Sequence, residues 1–412
     1  MGKPKIRFEG YSEDWEQRKL GDITTKIGSG KTPKGGAAAY KDDGIALIRS
    51  QNVNGDRVDL SDVVFIDEQT DEDMKNSRVL KGDVLLNITG ASIGRSAVFT
   101  RELRANVNQH VCIIRTKGSD ASPEFIQLNI ISSNGQNQID SFQAGGGREG
   151  LNFHQIGKME FLYPGIEEQQ KIGQYFANLD HLITLHQRKC DEIKTLKKYM
   201  LQKMFSQNGE KVPEIRFNGF TEDWEQRKLS DYLSVSGQKN RDEKYDKEDV
   251  LSVSGDYGIV NQIEFQGRSL AGASVTNYGV VETNDVVYTK SPLKANPYGI
   301  IKSNKGKPGI VSTLYAVYHP NDITDSEFVQ VYFEQDARMN SYMHPLVNKG
   351  AKNDMKVSAE NALKGEVIFP KLDEQRQISD YFRRLDTIIT LHQRKCNELK
   401  EIKKYMLQNM FV

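Results

Sequence analysis

Glu168–Phe205, EQQKIGQYFANLDHLITLHQRKCDEIKTLKKYMLQKMF, returns 206 residues later as Glu374–Phe411, EQRQISDYFRRLDTIITLHQRKCNELKEIKKYMLQNMF. In the first copy, apolar or small residues fall at Ile172, Phe176, Leu179, Ile183, His186, Cys190 and Ile193, in alternating steps of four and three. That is the spacing of a heptad seam. Beyond Ile193 the phase moves to Leu196, Met200 and Met204. The second copy repeats the pattern at Ile378, Phe382, Leu385, Ile389, His392, Cys396, Leu399, Ile402, Met406 and Met410. One such helix leaves its stripe exposed, and two copies in one chain provide cover for each other. The spacing predicts an antiparallel pair, each helix roughly 57 Å long at about 1.5 Å per residue. Helices of that length can hold two lobes well apart.

Working outward, a second repeat precedes each lobe. Ile6–Asp22, IRFEGYSEDWEQRKLGD, returns as Ile215–Asp231, IRFNGFTEDWEQRKLSD. The stretches between the repeats, 23–167 and 232–373, are of similar length and match each other in no visible register. Segments kept nearly identical should make the same contacts twice, and diverged segments of equal size suit parallel tasks on different targets. Gln207–Pro213, polar with Gly and Pro, reads as the linker between halves. The chain therefore divides into 1–167 (lead-in and first lobe), 168–206 (central helix), 207–373 (linker, second lead-in and second lobe) and 374–412 (C-terminal helix). In the lobes, Gly82–Ile88, Ala97–Thr100, Val111–Arg115, Met159–Tyr163, Asp249–Ser254, Asp285–Thr289, Gly309–Tyr318 and Gly365–Phe369 read as strands. Pro123–Ile131 and Ser326–Met339 read as helices. The expected fold is α+β, with two mixed lobes and a coiled-coil pair built on an internal repeat.

Composition restrains the functional reading. The 412 residues carry no net charge, and the two lobes hold 16 basic and 18 acidic side chains each. Phosphate neutralisation by Lys and Arg supplies most non-specific affinity for nucleic acid, so a nucleic-acid binder of this composition must segregate its charges by face. Three cysteines, Cys112, Cys190 and Cys396, make no disulfide framework, which fits a reducing cytosol. No signal-like or membrane-length apolar run is present, and the expected location is cytoplasmic.

Three motifs suggest chemistry and fall short of it. Gly28–Thr32, GSGKT, copies the tail of a phosphate loop, but Thr25 stands where the motif needs Gly and Pro33 obstructs the helix that should follow. Asn296–Tyr298, NPY, lacks one proline of the adenine-methyltransferase loop and has no cofactor turn before it. His186 with Cys190, and His392 with Cys396, have metal-ligand spacing yet lie on the seam, where packing accounts for them, so no metal site is expected. The loops instead offer side chains suited to base edges and phosphates. In the first lobe these are Arg49, Ser50 and Gln51, then Asn87, Thr89 and Arg95, then Asn108, Gln109 and His110, and Arg148 after three glycines. The second lobe offers Lys290, Lys294, Lys349, Lys352 and Asn353.

A lead-in ending WEQRKLGD, a variable lobe, then Pro164 with Glu168-Gln169 opening a heptad helix, all repeated with Pro370 and Glu374-Gln375, resembles the specificity subunit of type I restriction-modification systems. Lys81-Gly82-Asp83-Val84-Leu85 followed by Gly90 and Gly94 is similar to a recurring pattern of that family's target-recognition domains. The counterpart Asn284-Asp285-Val286-Val287-Tyr288 lacks the glycine. The resemblance implies two target-recognition domains, each reading one half of a bipartite, asymmetric site in double-stranded DNA. It implies that the helices and lead-ins dock two methyltransferase subunits that methylate adenine, joined by two motor-nuclease subunits. S-adenosylmethionine, ATP and Mg²⁺ would enter with those partners, and this chain would bind no cofactor and catalyse nothing. The rival reading is a coiled-coil scaffold carrying two protein-binding lobes.

Overall fold

The computed structural model describes residues 3–54, 57–144, 150–207, 209–290, 296–347 and 357–411. The chain forms two compact units, Met1–Arg188 with Gln393–Val412, and Lys189–His392. Each unit thus holds one lobe, the first part of one long helix and the last part of the other. The helices run Ile166–Lys203 and Leu372–Met410.

In the first unit the two helical pieces run antiparallel. Phe176 meets Phe411, Asp180 meets Lys403, and the Ile183 carbonyl faces Cys396 Sγ. In the second unit the same relations recur between Phe205 and Phe382, Lys197 and Asp386, and Cys190 Sγ and the Ile389 carbonyl. Ile172, Phe176, Leu179, Ile378, Phe382 and Leu385 are buried at the seam, and Ile183 and Ile389 are partly buried. Cys190 and Cys396 are buried seam residues, and among the described residues no group of three or more His, Cys, Asp and Glu is arranged to hold a metal.

The expected phase change after Ile193 does not occur. Leu196 and Ile402 are exposed, and the heptad continues through Lys197 and Lys403, whose side chains are 11% and 17% exposed. A lysine can occupy a seam because its apolar stem packs while the ammonium reaches a carboxylate. Here the acceptors are Asp386 and Asp180, each at 2.6 Å. Lys197 also meets Glu334 of the second lobe at 2.6 Å. Burial works against its charge, and these two carboxylates overcome that and raise its pKa.

The lobes share a plan that their sequences conceal. In the first, a four-stranded antiparallel sheet has the order Thr24–Ser29, Val111–Thr116, Val84–Asn87, Ser96–Val98. In the second, the order Leu233–Val235, Tyr315–Pro320, Val286–Thr289, Ile301–Ser303 is the same. The central strand of each is covered on both faces. Val84 and Leu86 face the core that contains Trp15 and the long helices, and Leu85 faces a second core; Val286 and Tyr288 against Val287 repeat the alternation. A strand buried on both faces reads as a continuous apolar run, with alternate side chains pointing to opposite sides. A second sheet in the first lobe orders Val64–Ile66, Ile45–Ile48, Ala105–Val107 and Arg78–Val79, with Ile45–Ile48 and Ala105–Val107 parallel.

Two expected elements are interrupted. Gly309–Tyr318 is not one strand: Gly309–Val311 and Tyr315–Pro320 are separated by a turn in which the Tyr315 N–H bonds the Ser312 carbonyl. Ser326–Met339 is likewise two helices, Ser326–Tyr332 and Asp336–Met343. The break lets Glu334 reach Lys197. Each lead-in supplies a strand that the lead-in sequence did not announce: Glu16–Lys19 pairs with Glu160–Tyr163, and Glu225–Lys228 with Glu366–Phe369.

The lead-ins tie both units in one pattern. Arg7 makes a two-pronged bond to buried Glu168 at 2.7 Å on each prong, and Arg216 does so to Glu374. The Ile6 N–H bonds the Asn409 carbonyl, and the Ile215 N–H bonds the Lys203 carbonyl. Phe411 packs against Phe125 and Phe176 in the first core; Phe205 packs against Phe328, Phe382 and Trp224 in the second. The end of the second helix therefore completes the first lobe's core, and the end of the first helix completes the second's. Truncating a buried Phe to Ala costs roughly 3–5 kcal/mol. Phe411→Ala should accordingly speed amide exchange in Glu16–Lys19 and Pro123–Ile131 while sparing Ser326–Tyr332, and Phe205→Ala should do the reverse, as read by hydrogen-exchange mass spectrometry.

Candidate nucleic-acid interface

At one end of the first lobe, loops following three strands meet. After Ile45–Ile48, Ser50 offers its carbonyl to Asn87 Nδ2 at 2.9 Å. After Val84–Asn87, the Ile88 N–H bonds the His110 carbonyl, and Thr89 Oγ1 lies 2.6 Å from His110 Nδ1. After Ala105–Val107, the Asn108 N–H bonds the Ile48 carbonyl, Asn108 Oδ1 accepts the His110 N–H, and Gln109 Nε2 lies 2.7 Å from His110 Nε2. The Leu151 N–H, just after the glycine-rich segment, bonds the Ile88 carbonyl. Six of the anticipated residues, Ser50, Asn87, Thr89, Asn108, Gln109 and His110, thus form one cluster.

Gly30 shows what the GSGKT segment does. A Cβ there would lie 1.6 Å from the Val107 carbonyl oxygen, so glycine is required for close backbone packing beneath this cluster. Beyond Pro33 comes only the short turn Gly36–Ala39; the segment is a strand end, not a phosphate loop.

Arg49 and Gln51 flank the cluster, and both bond Asp62, Arg49 Nη2 at 3.3 Å and Gln51 Nε2 at 2.7 Å. The Arg49 guanidinium also lies over the Tyr40 ring, and its Nε is buried with no partner. Asn87 is wholly buried, with Oδ1 unpartnered. It is a positioning residue for the Ser50 loop. Arg95 is exposed, and its carbonyl accepts the Asn87 N–H. Arg148 lies outside the described residues, as do Lys294, Lys349, Lys352 and Asn353 of the second lobe.

Lys290 is described, and its position is informative. Its N–H bonds the Leu314 carbonyl, as that of Ile88 bonds His110, so it stands at the matching point of the second lobe. Burial lowers its pKa, with neighbouring Lys239 adding to the effect. Asn296, of the NPY segment, is buried and donates to Asp336 Oδ1 at 2.8 Å, which is an anchoring contact.

Beneath both ends the same turn recurs. Gly82 adopts φ +90° and Asn284 φ +72°, a region that Asn tolerates better than most residues. Asp83 accepts the Leu80 N–H, and Asp285 accepts the Glu282 N–H. The glycine absent from the second copy is thus replaced without loss of the turn. The partner of the aspartate differs: Arg115 grips Asp83 through two bonds of 2.7 and 2.8 Å, and His319 Nδ1 lies 2.7 Å from Asp285.

One further support was not anticipated. Asp71, fully buried, accepts from Arg78, Arg104 and Asn106 at 2.6 Å each. Asn106 lies on the strand that leads into Asn108–His110. The only advance signal was an Asp among other acids, which points to a solvated turn.

The family model described as the type I restriction modification DNA specificity domain matches twice, over residues 12–195 and 221–401. The chain belongs to this family. It has two DNA-recognition domains, and the resemblance carried by the WEQRKL lead-ins and the paired heptad helices holds. A type I restriction enzyme MjaX specificity subunit of Methanocaldococcus jannaschii is 22% identical over 98% of this chain and 94% of its own. The type I restriction enzyme EcoBI specificity subunit of Escherichia coli is 27% identical over 49% of this chain and 44% of its own. The S subunit structure from M. genitalium superposes with a TM-score of 0.60 over 100% of this chain and 99% of that one, at 12% identity, and shares the fold. No described helix is long and apolar enough to cross a membrane.

Asp71 gives the specificity chain a measurable pH signature. Burial disfavours its charge, but the bonds from Arg78, Arg104 and Asn106 outweigh that and bring its pKa down from 3.8 to about 2. A depressed carboxylate contributes stability that is complete above its unfolded pKa and is lost as pH falls from about 4 towards about 2. Asp71→Asn should lower stability by roughly 2–3 kcal/mol near neutral pH, the size that a pKa brought down from 3.8 to about 2 implies. In urea titrations, the gap between parent and variant should narrow as pH approaches about 2.

Proposed function

We propose that this chain supplies the address of a type I restriction-modification enzyme: each lobe reads one half of a bipartite, asymmetric DNA site, and partner subunits carry out the chemistry. The observation that carries the reading is a shared framework beneath unlike loops. Both lobes use one sheet order and one Asp-centred turn, yet the first presents Ser50, Asn108, Gln109 and His110 where the second presents Lys290 and the Ser312–Leu314 turn. Equal scaffolds with different readers suit two different half-sites, because base edges are distinguished by the donors and acceptors set against them.

Docking of two methyltransferase subunits is supported by apolar residues left exposed twice on the long helices. In the first unit these are Leu182, Leu185, Ile402 and Tyr405, and in the second Ile388, Leu391, Leu196 and Tyr199. They are the same four positions in each unit, as two copies of one partner require. On this reading the methyltransferase subunits bring S-adenosylmethionine and modify adenine, and two motor-nuclease subunits bring ATP and Mg²⁺ for restriction. The chain itself holds no cofactor and no catalytic group, and it works in the cytoplasm.

The test is to co-express the chain with its methyltransferase subunit and map methylated adenines across genomic DNA by single-molecule sequencing. A two-part motif that changes in one half only when residues 23–167 are exchanged is the expected result. A stable complex with no sequence-specific methylation would favour the scaffold reading instead.

A further inference from the structure

A surface that serves one partner twice should occur twice, as the exposed apolar positions of the long helices do. One exposed apolar surface in the lobes breaks that rule. Tyr257 of the second lobe is 69% exposed and Phe265 51%, with ring centroids 5.0 Å apart. Leu270 and Ile263 are exposed on the same segment.

The local sequence builds this pair deliberately. Tyr257 lies in the turn of the hairpin formed by Leu251–Ser254 and Gly258–Asn261, with Gly258 at φ +74°. Asn261 then caps the helix Gln262–Gln266 by accepting the N–H groups of Ile263 and Glu264, and Gly267, at φ +76°, ends it. The short helix turns Phe265 back onto Tyr257.

Strand register fixes which end of the lobe carries the pair. Val250 bridges Ile310 in parallel, so the strand leading to the hairpin tip runs towards the same end of the lobe as the Ser312–Leu314 turn, where the Leu314 carbonyl takes the Lys290 N–H. In the first lobe the parallel pairing of Leu47 with Asn106 brings Arg49–Gln51 level with the Asn108–His110 cluster in the same way. The aromatic pair therefore lies, in the second lobe, at the same end that Arg49 and Gln51 occupy in the first. Lys239 and Lys290 lie close enough to lower the latter's pKa, and Arg268 is exposed on the aromatic segment. The pair thus shares its end of the lobe with cations suited to phosphate.

We propose that Tyr257 and Phe265 are an apolar base reader, contacting thymine methyl groups in the major groove of the second lobe's half-site. This rests on the reading of each lobe as a half-site reader. Thymine's methyl is the one apolar group that a base pair presents in the major groove, and covering exposed aromatic surface against it is favourable. The two lobes then differ in kind: the first reads with polar side chains at this end, and the second with aromatic ones. The second half-site must contain a T·A pair.

The test uses the full chain in complex with its methyltransferase subunits, on a synthetic duplex bearing the mapped site. Replacing thymine by uracil within the second half-site removes only the methyl group, and should weaken binding roughly fivefold or more. The same change in the first half-site is the control. The double variant Tyr257→Ser, Phe265→Ser should bind thymine and uracil duplexes alike and relax the methylated motif at that position. A second half-site without a T·A pair, or binding indifferent to uracil, overturns the proposal. So does a double variant that keeps its base preference but no longer co-purifies with the methyltransferase, which would make the patch a protein contact. If the wild-type complex methylates no specific sequence, half-site reading itself fails, and this inference falls with it.

Discussion

Each lobe's core is closed by the far end of a helix that began in the other half of the sequence. Phe411 fills the space between Phe125 and Phe176, Phe205 that between Phe328 and Phe382. Large aromatic side chains dominate core energetics, so neither lobe is complete on its contiguous stretch of chain. The main-chain bonds from Ile6 to Asn409 and from Ile215 to Lys203, and the buried pairs Arg7–Glu168 and Arg216–Glu374, fix the same closure. A buried pair of this kind is costly to break because the remaining charge is stranded. These contacts use residues that the two halves share, which is the physical reason the lead-ins and helices stay alike while the lobes diverge.

The framework constrains only what lies beneath the reading loops. The left-handed turn at Gly82 and Asn284, the aspartate after it, and the two-faced strand after that recur in both lobes. Above them the chain is free to vary: a buried Asp71 network supports the loops of the first lobe, and Ile310 stands where Asn106 would be needed to repeat it. Lys197 shows the border between the two regimes. Its pairing with Asp386 belongs to the repeated helices, and its pairing with Glu334 belongs to the second lobe alone.

Much of the architecture was legible because a heptad repeat and a duplicated segment are long, redundant signals. The helices and their antiparallel run followed from the repeat, and the central strands Val84–Asn87 and Val286–Thr289 from their apolar runs, but short strands such as Thr24–Ser29, Ile45–Ile48, Ala105–Val107 and Ile301–Ser303 did not. What escaped was carried by single residues whose roles depend on tertiary partners. Lys197 and Lys403 look like surface lysines until Asp386 and Asp180 are opposite them, so the seam was read one residue early at Leu196 and Ile402. The strands Glu16–Lys19 and Glu225–Lys228 are charged, and pairing rather than pattern defines them. In the site, residue type singled out Asn87, Thr89 and His110, but not that their loops meet or that Asn87 faces inward. The common sheet order of the two lobes was invisible because a fold of this kind needs only alternation at a few buried positions, which many sequences meet.

The central claim is that two equivalent frames read two different half-sites, and duplicating one lobe tests it most directly. In a chain whose first variable segment is replaced by a second copy of 232–373, assembled with its methyltransferase subunits, methylated adenines would be mapped across genomic DNA. The account predicts a symmetric, interrupted motif in which the second lobe's half-site appears twice in opposed orientation. A motif that keeps the original first half after that replacement, or a folded complex that recognises no sequence at all, would contradict it.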